Sequence, residues 1–433
     1  MPGAVQRLRP WVTALRLLIA AGATALFLPN AQAATWVVTN SIASTLEAAR
    51  NGDTVLVPGP TVYRERVVIN KSIRLIGTNN PVLDADNAGS AITIAAPRVT
   101  VQGIHIRNTG RDLTTFDSGI LIQAEHTAVR ECIIETDGFG VYVRGAAACV
   151  ISSNVIQGNP GVAAAARGNG IHLWKTTGNE IASNQIRHKR DGIYLSYADD
   201  NVIAGNRISD TRFGIHYMYS HRNQLLTNRL SGNAVGATLM FSRGSLVDAN
   251  VAFANRRHGM VLKQLENSKV TRNIVAGQNR GFFVQQASQN RFENNLIATN
   301  DIGLYLTGGS EGNLFVGNAF VRNVDQVWQP PFETGQGRQS RNAFSENGRG
   351  NFWSDYVGQD RNHDGIGDTP YRETDVFGYI VDRHPNARVL AMSPALALLR
   401  KGEERMPLVD VAGVTDLAPL MAPGNPKSTS DAR

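Results

Sequence analysis

Two sets of side chains in this sequence have ligand-like spacing. In Gly214-Ile-His-Tyr-Met-Tyr-Ser220 a histidine and a methionine stand two residues apart, and Met240 follows Met218 by 22 residues. Imidazole and thioether donors together suit Cu(I) better than zinc or magnesium, because soft sulfur matches a soft ion. The second set, Asp360-x-Asn362-x-Asp364-Gly365-x-Gly367-Asp368, alternates oxygen side chains before a tight-turn glycine. That is the pattern of a loop for a hard cation such as Ca²⁺. Tyr371 occupies the twelfth position, where such loops carry a bidentate glutamate. A hydrogen-bonded turn without metal is therefore the competing reading of Asp360, Asn362, Asp364 and Asp368.

A repeat must position these residues. Glycines 119, 140, 170, 192, 214, 236, 259, 281 and 303 open short apolar alternations, and from Gly170 they recur at 22, 22, 22, 23, 22 and 22 residues. A column of asparagines (154, 184, 206, 228, 250, 273, 295, 318) keeps pace with the glycines. A weaker column holds Asn179, Asn201, Asn223, Ser245, Ser268 and Asn290. The period is too short for helical-pair repeats and has no leucine-rich signature. Short strands such as "GIYLSY" and "NQLLTNRL", separated by turn residues, predict an all-β chain. The expected fold is a right-handed parallel β-helix, a pectate-lyase-like solenoid of about 22-residue coils with an N-terminal cap and an irregular C-terminal extension. Stacked asparagines would bond along the axis, and the glycines would mark sharp corners.

The repeat turns the heptapeptide into a position. Ile215 and Tyr217 fall in the inward register, as does Met260, while His216 and Met218 fall outward. The outward column reads His172, Tyr194, His216, Thr238, Val261, Phe283, Tyr305. Beside it runs Trp174, Ser196, Met218, Met240, Lys263, Gln285, Thr307. Strands ~4.8 Å apart, with i, i+2 residues ~6.6 Å apart, would let His216, Met218 and Met240 converge on one Cu(I) ion. Packing under a partner and a carbohydrate groove both remain open on this face, which includes His172, Trp174, Tyr194, Phe283 and Tyr305. A lyase or C5-epimerase would need a base and a cation here, and Tyr194, His216 and Lys263 lie on the right side. Paired thioethers have no task in that chemistry, and the face carries no acidic cluster for a lyase-type Ca²⁺.

The ends set the compartment and boundaries. Residues 1–33 read as a secretory signal: Arg7 and Arg9, an apolar Leu17–Leu28 too short to span a bilayer, and Ala31-Gln32-Ala33 as the cleavage site. Arg16 argues against an uncleaved anchor, and the lack of an Arg-Arg pair points to the general secretory route. The mature chain is expected to be exported and soluble. Without the three signal arginines, 40 basic and 36 acidic residues leave the mature charge at +4, too mild and scattered for nucleic acid. The β-helix is expected over 34–350, starting near Trp36 with a capping helix at Leu46–Arg50. A cap with the aspartate-rich loop follows over 351–390, then an extended partner-docking tail over 391–433 with a short helix at Leu396–Arg400. An insertion at 159–167 lengthens one coil from 22 to 30 residues. Cys132 and Cys149 fall in different columns, so they read as buried turn-fillers rather than a disulfide. His258 and Arg257 flank a corner and read as solvated.

Taken together, "GIHYMYS" in a central coil, "GNFWSDYVGQDRNHDGIGDTPY" near the end and the "SPAL…PLVDV…PL" tail resemble the NosD family over essentially the whole mature chain. The resemblance implies a non-enzymatic periplasmic accessory protein for assembling the copper-sulfur centre of nitrous oxide reductase. It also implies an ABC-type ATPase/permease pair, a copper chaperone lipoprotein and the apo-reductase as partners. It assigns no ligands. His216, Met218 and Met240 rest on register and softness alone.

Overall fold

The computed structural model describes residues 33–329, 342–373 and 414–424, with 393–395, 398 and 402 between the last two. The signal segment 1–32 and nearly all of 374–413 lie outside the described residues; of the helix expected at Leu396–Arg400 only Leu398 is described, and it is helical.

Apart from those at the two ends, each coil gives one strand to each of three parallel sheets, of 13, 12 and 13 strands. The expected β-helix is present, and its core follows from period-2 alternation. One inward column runs Ile181, Ile203, Leu225, Val247, Val270, Phe292, each paired in register with the next and each almost fully buried. The solenoid starts at Thr35–Val37, as the position of Trp36 predicts.

The capping helix spans Ile42–Ala48 rather than Leu46–Arg50. Its start is set four residues earlier by Ser41, whose hydroxyl accepts the Ser44 N–H, and by Glu65, whose carboxylate accepts the Ile42 and Ala43 N–H groups. At the other end the Lys71 ammonium donates to the Leu46, Glu47 and Ala49 carbonyls.

The glycines do not turn corners. Gly214 and Gly236 lie inside strands, at ordinary φ, and stack coil on coil. A Cβ on Gly236 would come within 2.5 Å of the Gly259 carbonyl oxygen, so the column is glycine because the backbones approach too closely for a side chain. The corners are made by left-handed residues such as Ser183, Asp200 and Thr227, each just before a ladder asparagine.

The asparagine columns bond as expected. Asn206 Oδ1 accepts both the backbone N–H and the side-chain amide of Asn184, each at 3.0 Å, and Asn206 Nδ2 donates back to the Ile181 carbonyl at 2.8 Å. Cys132 and Cys149 top the two columns, unpaired and buried, with their N–H groups donated to Asn154 and Asn179. A third ladder, Thr211-Asn233-Asn255-Gln278-Asn300-Asn323, was not anticipated. Lys189 holds the corresponding place one coil before Thr211. Coming just after the coil with the insertion, it reaches back to donate to the Thr136 and Gly138 carbonyls, both at 2.6 Å. Its burial pushes the amine pKa down to about 7.

At the far end the boundary expected at 391 does not separate cap from tail. Thr415–Asp416 pairs antiparallel with Tyr371–Arg372, and the buried Asp416 carboxylate accepts the Asn351 N–H and the Trp353 indole N–H. Leu420 adds bridges to Phe352 and Ile366. This part of the tail is seated on its own solenoid, closing three aromatic layers, Phe320, Trp353 and Tyr371, stacked 4.4 and 4.2 Å apart. Among the described residues no helix is long and apolar enough to cross a membrane.

Candidate functional site

The 12-stranded sheet carries the outward columns, and the register holds throughout. His172, Tyr194, His216, Thr238, Val261, Phe283 and Tyr305 are successive cross-strand partners. In the next column Met218 pairs with Met240, which pairs with Lys263. Ile215, Tyr217 and Met260 are fully buried in the core, as their register requires.

Facing outward does not make these residues exposed. His216 is only 7% accessible, because the rings of Tyr194 and Phe213 flank it at 4.8 and 4.7 Å. The aromatic column packs on itself as a ladder, Phe116-Tyr142-His172-Tyr194-His216, with centroids 4.6 to 5.1 Å apart. It stops at Thr238 and Val261, then resumes as Phe283-Tyr305-Trp328. The half-buried Met218 and Met240 lie beside the gap. Trp174 sits away from it under Arg144 and Lys175, and Phe283 and Tyr305 belong to the second ladder under Arg280. His258 is half-buried, and burial against Phe283 with the nearby Arg280 pushes its pKa down to about 4, while Arg257 is exposed.

The structure adds two residues that were not singled out from the sequence. Asp191, buried at the start of the strand Asp191–Asp199, accepts two hydrogen bonds from the Arg212 guanidinium, at 2.9 and 2.8 Å. Its Oδ2 also lies 3.2 Å from His216 Nδ1. Burial works against the Asp191 carboxylate, but the hydrogen bonds from His216 and Arg212 outweigh it and hold its pKa below the usual range. In the tautomer that donates Nδ1–H to this carboxylate, the imidazole lone pair lies on Nε2. That nitrogen is buried and has no hydrogen-bond partner. The place of Asp191 in the repeat carried no signal, because its column runs on through Phe213, Val235, His258 and Arg280, a mixture of apolar and charged side chains. The pairing with Arg212 and His216 crosses coils and needed the register.

This geometry offers one imidazole lone pair and two thioethers from adjacent strands, in a setting that is largely apolar on one side. Those donors fit a soft monovalent cation. Tyr194 lies over the pair, with its hydroxyl 3.6 Å from Met218 Sδ.

The C-terminal loop is arranged differently. Asp360 accepts the Asp364 and Gly365 N–H groups, Asp364 accepts Ile366 N–H and the Asn362 amide, and Asp368 accepts Arg361 N–H. The carboxylates are thus taken up by the loop itself, and the loop pairs with the tail through Pro419 and Met421. Among the described residues no three His, Cys, Asp or Glu side chains are grouped as a metal site.

The fold defines a class: right-handed parallel β-helix proteins, matched over residues 37–186 by the model of the right handed beta helix region. The structure is similar to the A-module of the Azotobacter vinelandii mannuronan C-5 epimerase AlgE6, with TM-score 0.57 over 68% of this chain and 92% of that one, at 12% identity. That likeness concerns the fold alone. Residues 160–358 match the family model described as periplasmic copper-binding protein (NosD). Two curated relatives are named probable ABC transporter binding protein NosD. The one from Stutzerimonas stutzeri is 38% identical over 83% of this chain and 85% of its own length. The one from Pseudomonas aeruginosa is 38% identical over 83% and 86%. The chain belongs to the NosD family.

Proposed function

We propose that this chain is a periplasmic, non-catalytic accessory protein that handles copper as cargo during assembly of the copper-sulfur centre of nitrous oxide reductase. It is exported by a signal cleaved after Ala33. It works with an ABC-type ATPase/permease pair, a copper chaperone lipoprotein and the apo-reductase. Membership of a family described as periplasmic and copper-binding supports the compartment and the cargo, and the relatives' names support the link to an ABC transporter.

The observation that carries the reading to particular residues is the buried, unpartnered Nε2 of His216 next to the Met218–Met240 pair. Asp191 orients that imidazole as second-layer carboxylates orient metal-binding histidines. Ca²⁺ at Asp360–Asp368 is supported only by the spacing of the oxygen side chains.

An anaerobic competition titration of the mature protein with a Cu(I) chelator tests the site. Met218→Leu combined with Met240→Leu should lose at least about a hundredfold in Cu(I) affinity and fail to support a copper-replete reductase. Full copper binding and full maturation by the double variant would overturn the assignment.

The epimerase-like fold keeps a second reading in view, a polysaccharide lyase or C5-epimerase. Of the cations beside this face, Arg212 is already paired with Asp191. Uronate polymers incubated with the protein should therefore show neither unsaturated ends nor C5 inversion.

A further inference from the structure

The Tyr194 side chain lies across both halves of the proposed Cu(I) site. Its ring packs 4.8 Å from the His216 ring, and its hydroxyl donates to Met218 Sδ at 3.6 Å. This reach is diagonal. Tyr194 is the register partner of His216, whereas Met218 is the partner of Ser196. Ser196 follows Trp174 in its column and is the one small side chain between two large ones, which leaves room for the phenol to lie over it. Among the described residues the Met218 sulfur is the only hydrogen-bond partner of the Tyr194 hydroxyl. On the opposite face the Tyr194 ring is held by His172, 4.8 Å away and nearly perpendicular.

A thioether engaged by an O–H donor offers less of its lone-pair density to a metal. It is also a weak acceptor, so that bond is readily broken. Met240 lies on the other side of Met218, on the coil away from Tyr194, and among the described residues it meets no such donor.

We propose that Tyr194 is a latch on the site: its hydroxyl competes with the metal for Met218, so that loading displaces it and its return promotes release. A site that hands copper on needs this weakening, because a tight thioether-imidazole site would retain its cargo. The latch rests on the reading of His216, Met218 and Met240 as the Cu(I) site. It needs no redox step, since the ion enters and leaves as Cu(I) and the only bonds exchanged are one hydrogen bond and the metal–sulfur contact.

The test compares the mature wild-type chain, Tyr194→Phe and the Met218→Leu, Met240→Leu double variant in anaerobic Cu(I) titrations against a chelator, with stopped-flow release to excess chelator. Tyr194→Phe keeps the ring stack and removes only the donor. It should bind Cu(I) roughly three- to tenfold more tightly and release it more slowly by a similar factor. The tyrosine ultraviolet difference signal seen when the wild type is loaded should be missing from the variant. Damage to the fold would weaken binding, so a gain in affinity separates a latch from a structural role. Wild-type binding with Tyr194→Phe unchanged or weaker overturns the latch and leaves the copper site standing. Wild-type binding no better than the double variant overturns both.

Discussion

His172 sits between the rings of Tyr142 and Tyr194, 4.6 and 4.8 Å away, and burial there pushes its pKa down to about 3. The folded chain therefore keeps this imidazole neutral, whereas the unfolded chain takes up a proton below its ordinary value of 6.5. Stability from this group is complete above that pH and is lost as the pH falls towards 3, by at most about 4 kcal/mol. Denaturant midpoints measured across this range should fall steeply in the wild type. They should fall less in His172→Phe, which keeps a ring in the ladder. A variant as acid-sensitive as the wild type would mean that the histidine is not the titrating group. His216 has a different environment two strands on. Both imidazoles leave Nε2 unpartnered, but the Nδ1 of His216 meets an ionised carboxylate where that of His172 meets the Asn169 amide, and that difference is what singles His216 out along a column of similar rings.

At the scale of the coil, the glycine column sets how closely successive strands lie. Beneath the site, Gly236 packs against the Gly259 carbonyl and the Asn255 amide, leaving a Cβ only 2.5 and 3.0 Å of space. Gly236→Ala must push two coils apart at the strand that bears Met240. The expected cost is about 2 to 3 kcal/mol, as for overpacking in a closed core. The displacement should also alter the spacing of Met218 and Met240, so Cu(I) affinity should drop even where the protein remains folded. Hydrogen exchange is the appropriate readout, since it reports local opening coil by coil. Faster exchange confined to coils 214–281 is expected, and uniform protection would contradict the close-approach account.

For the whole molecule, the decisive contact is the return of the tail to the end of the solenoid. Asp416 accepts from Asn351, Trp353 and Ala418, and Gly350 lies so close to its carboxylate that no side chain would fit. Asp416→Ala leaves those donors buried without an acceptor, at a cost of about 3 kcal/mol or more to the docked tail. The variant should show protease cleavage within 414–424 and a red-shifted, more quenchable signal from Trp353, which is only 1% exposed in the closed end. Cu(I) binding should be unaffected, because the site lies several coils away on another sheet. Loss of copper binding would show that the end cap and the site are coupled.

Much of this architecture was legible in the chain alone. A 22-residue period, an alternation of two and columns of asparagine permit only a stacked solenoid, because each coil must satisfy its backbone on its neighbours. The same arithmetic placed Met218 beside Met240 and sent Tyr217 and Met260 inward, as the register confirms. The meaning of the glycines was misjudged, since sequence does not distinguish a turn from a close approach. Nor could periodicity show that an outward histidine would be covered by its neighbours, or that Asp191 and Arg212 would meet it from successive coils. The tail's attachment through Asp416 was equally hidden, because it joins residues 65 apart that no repeat relates. Local pattern determined the frame, because register within a solenoid follows from counting. Contacts between columns and beyond the repeat were decided only by the tertiary structure, because they depend on side-chain reach and burial in three dimensions.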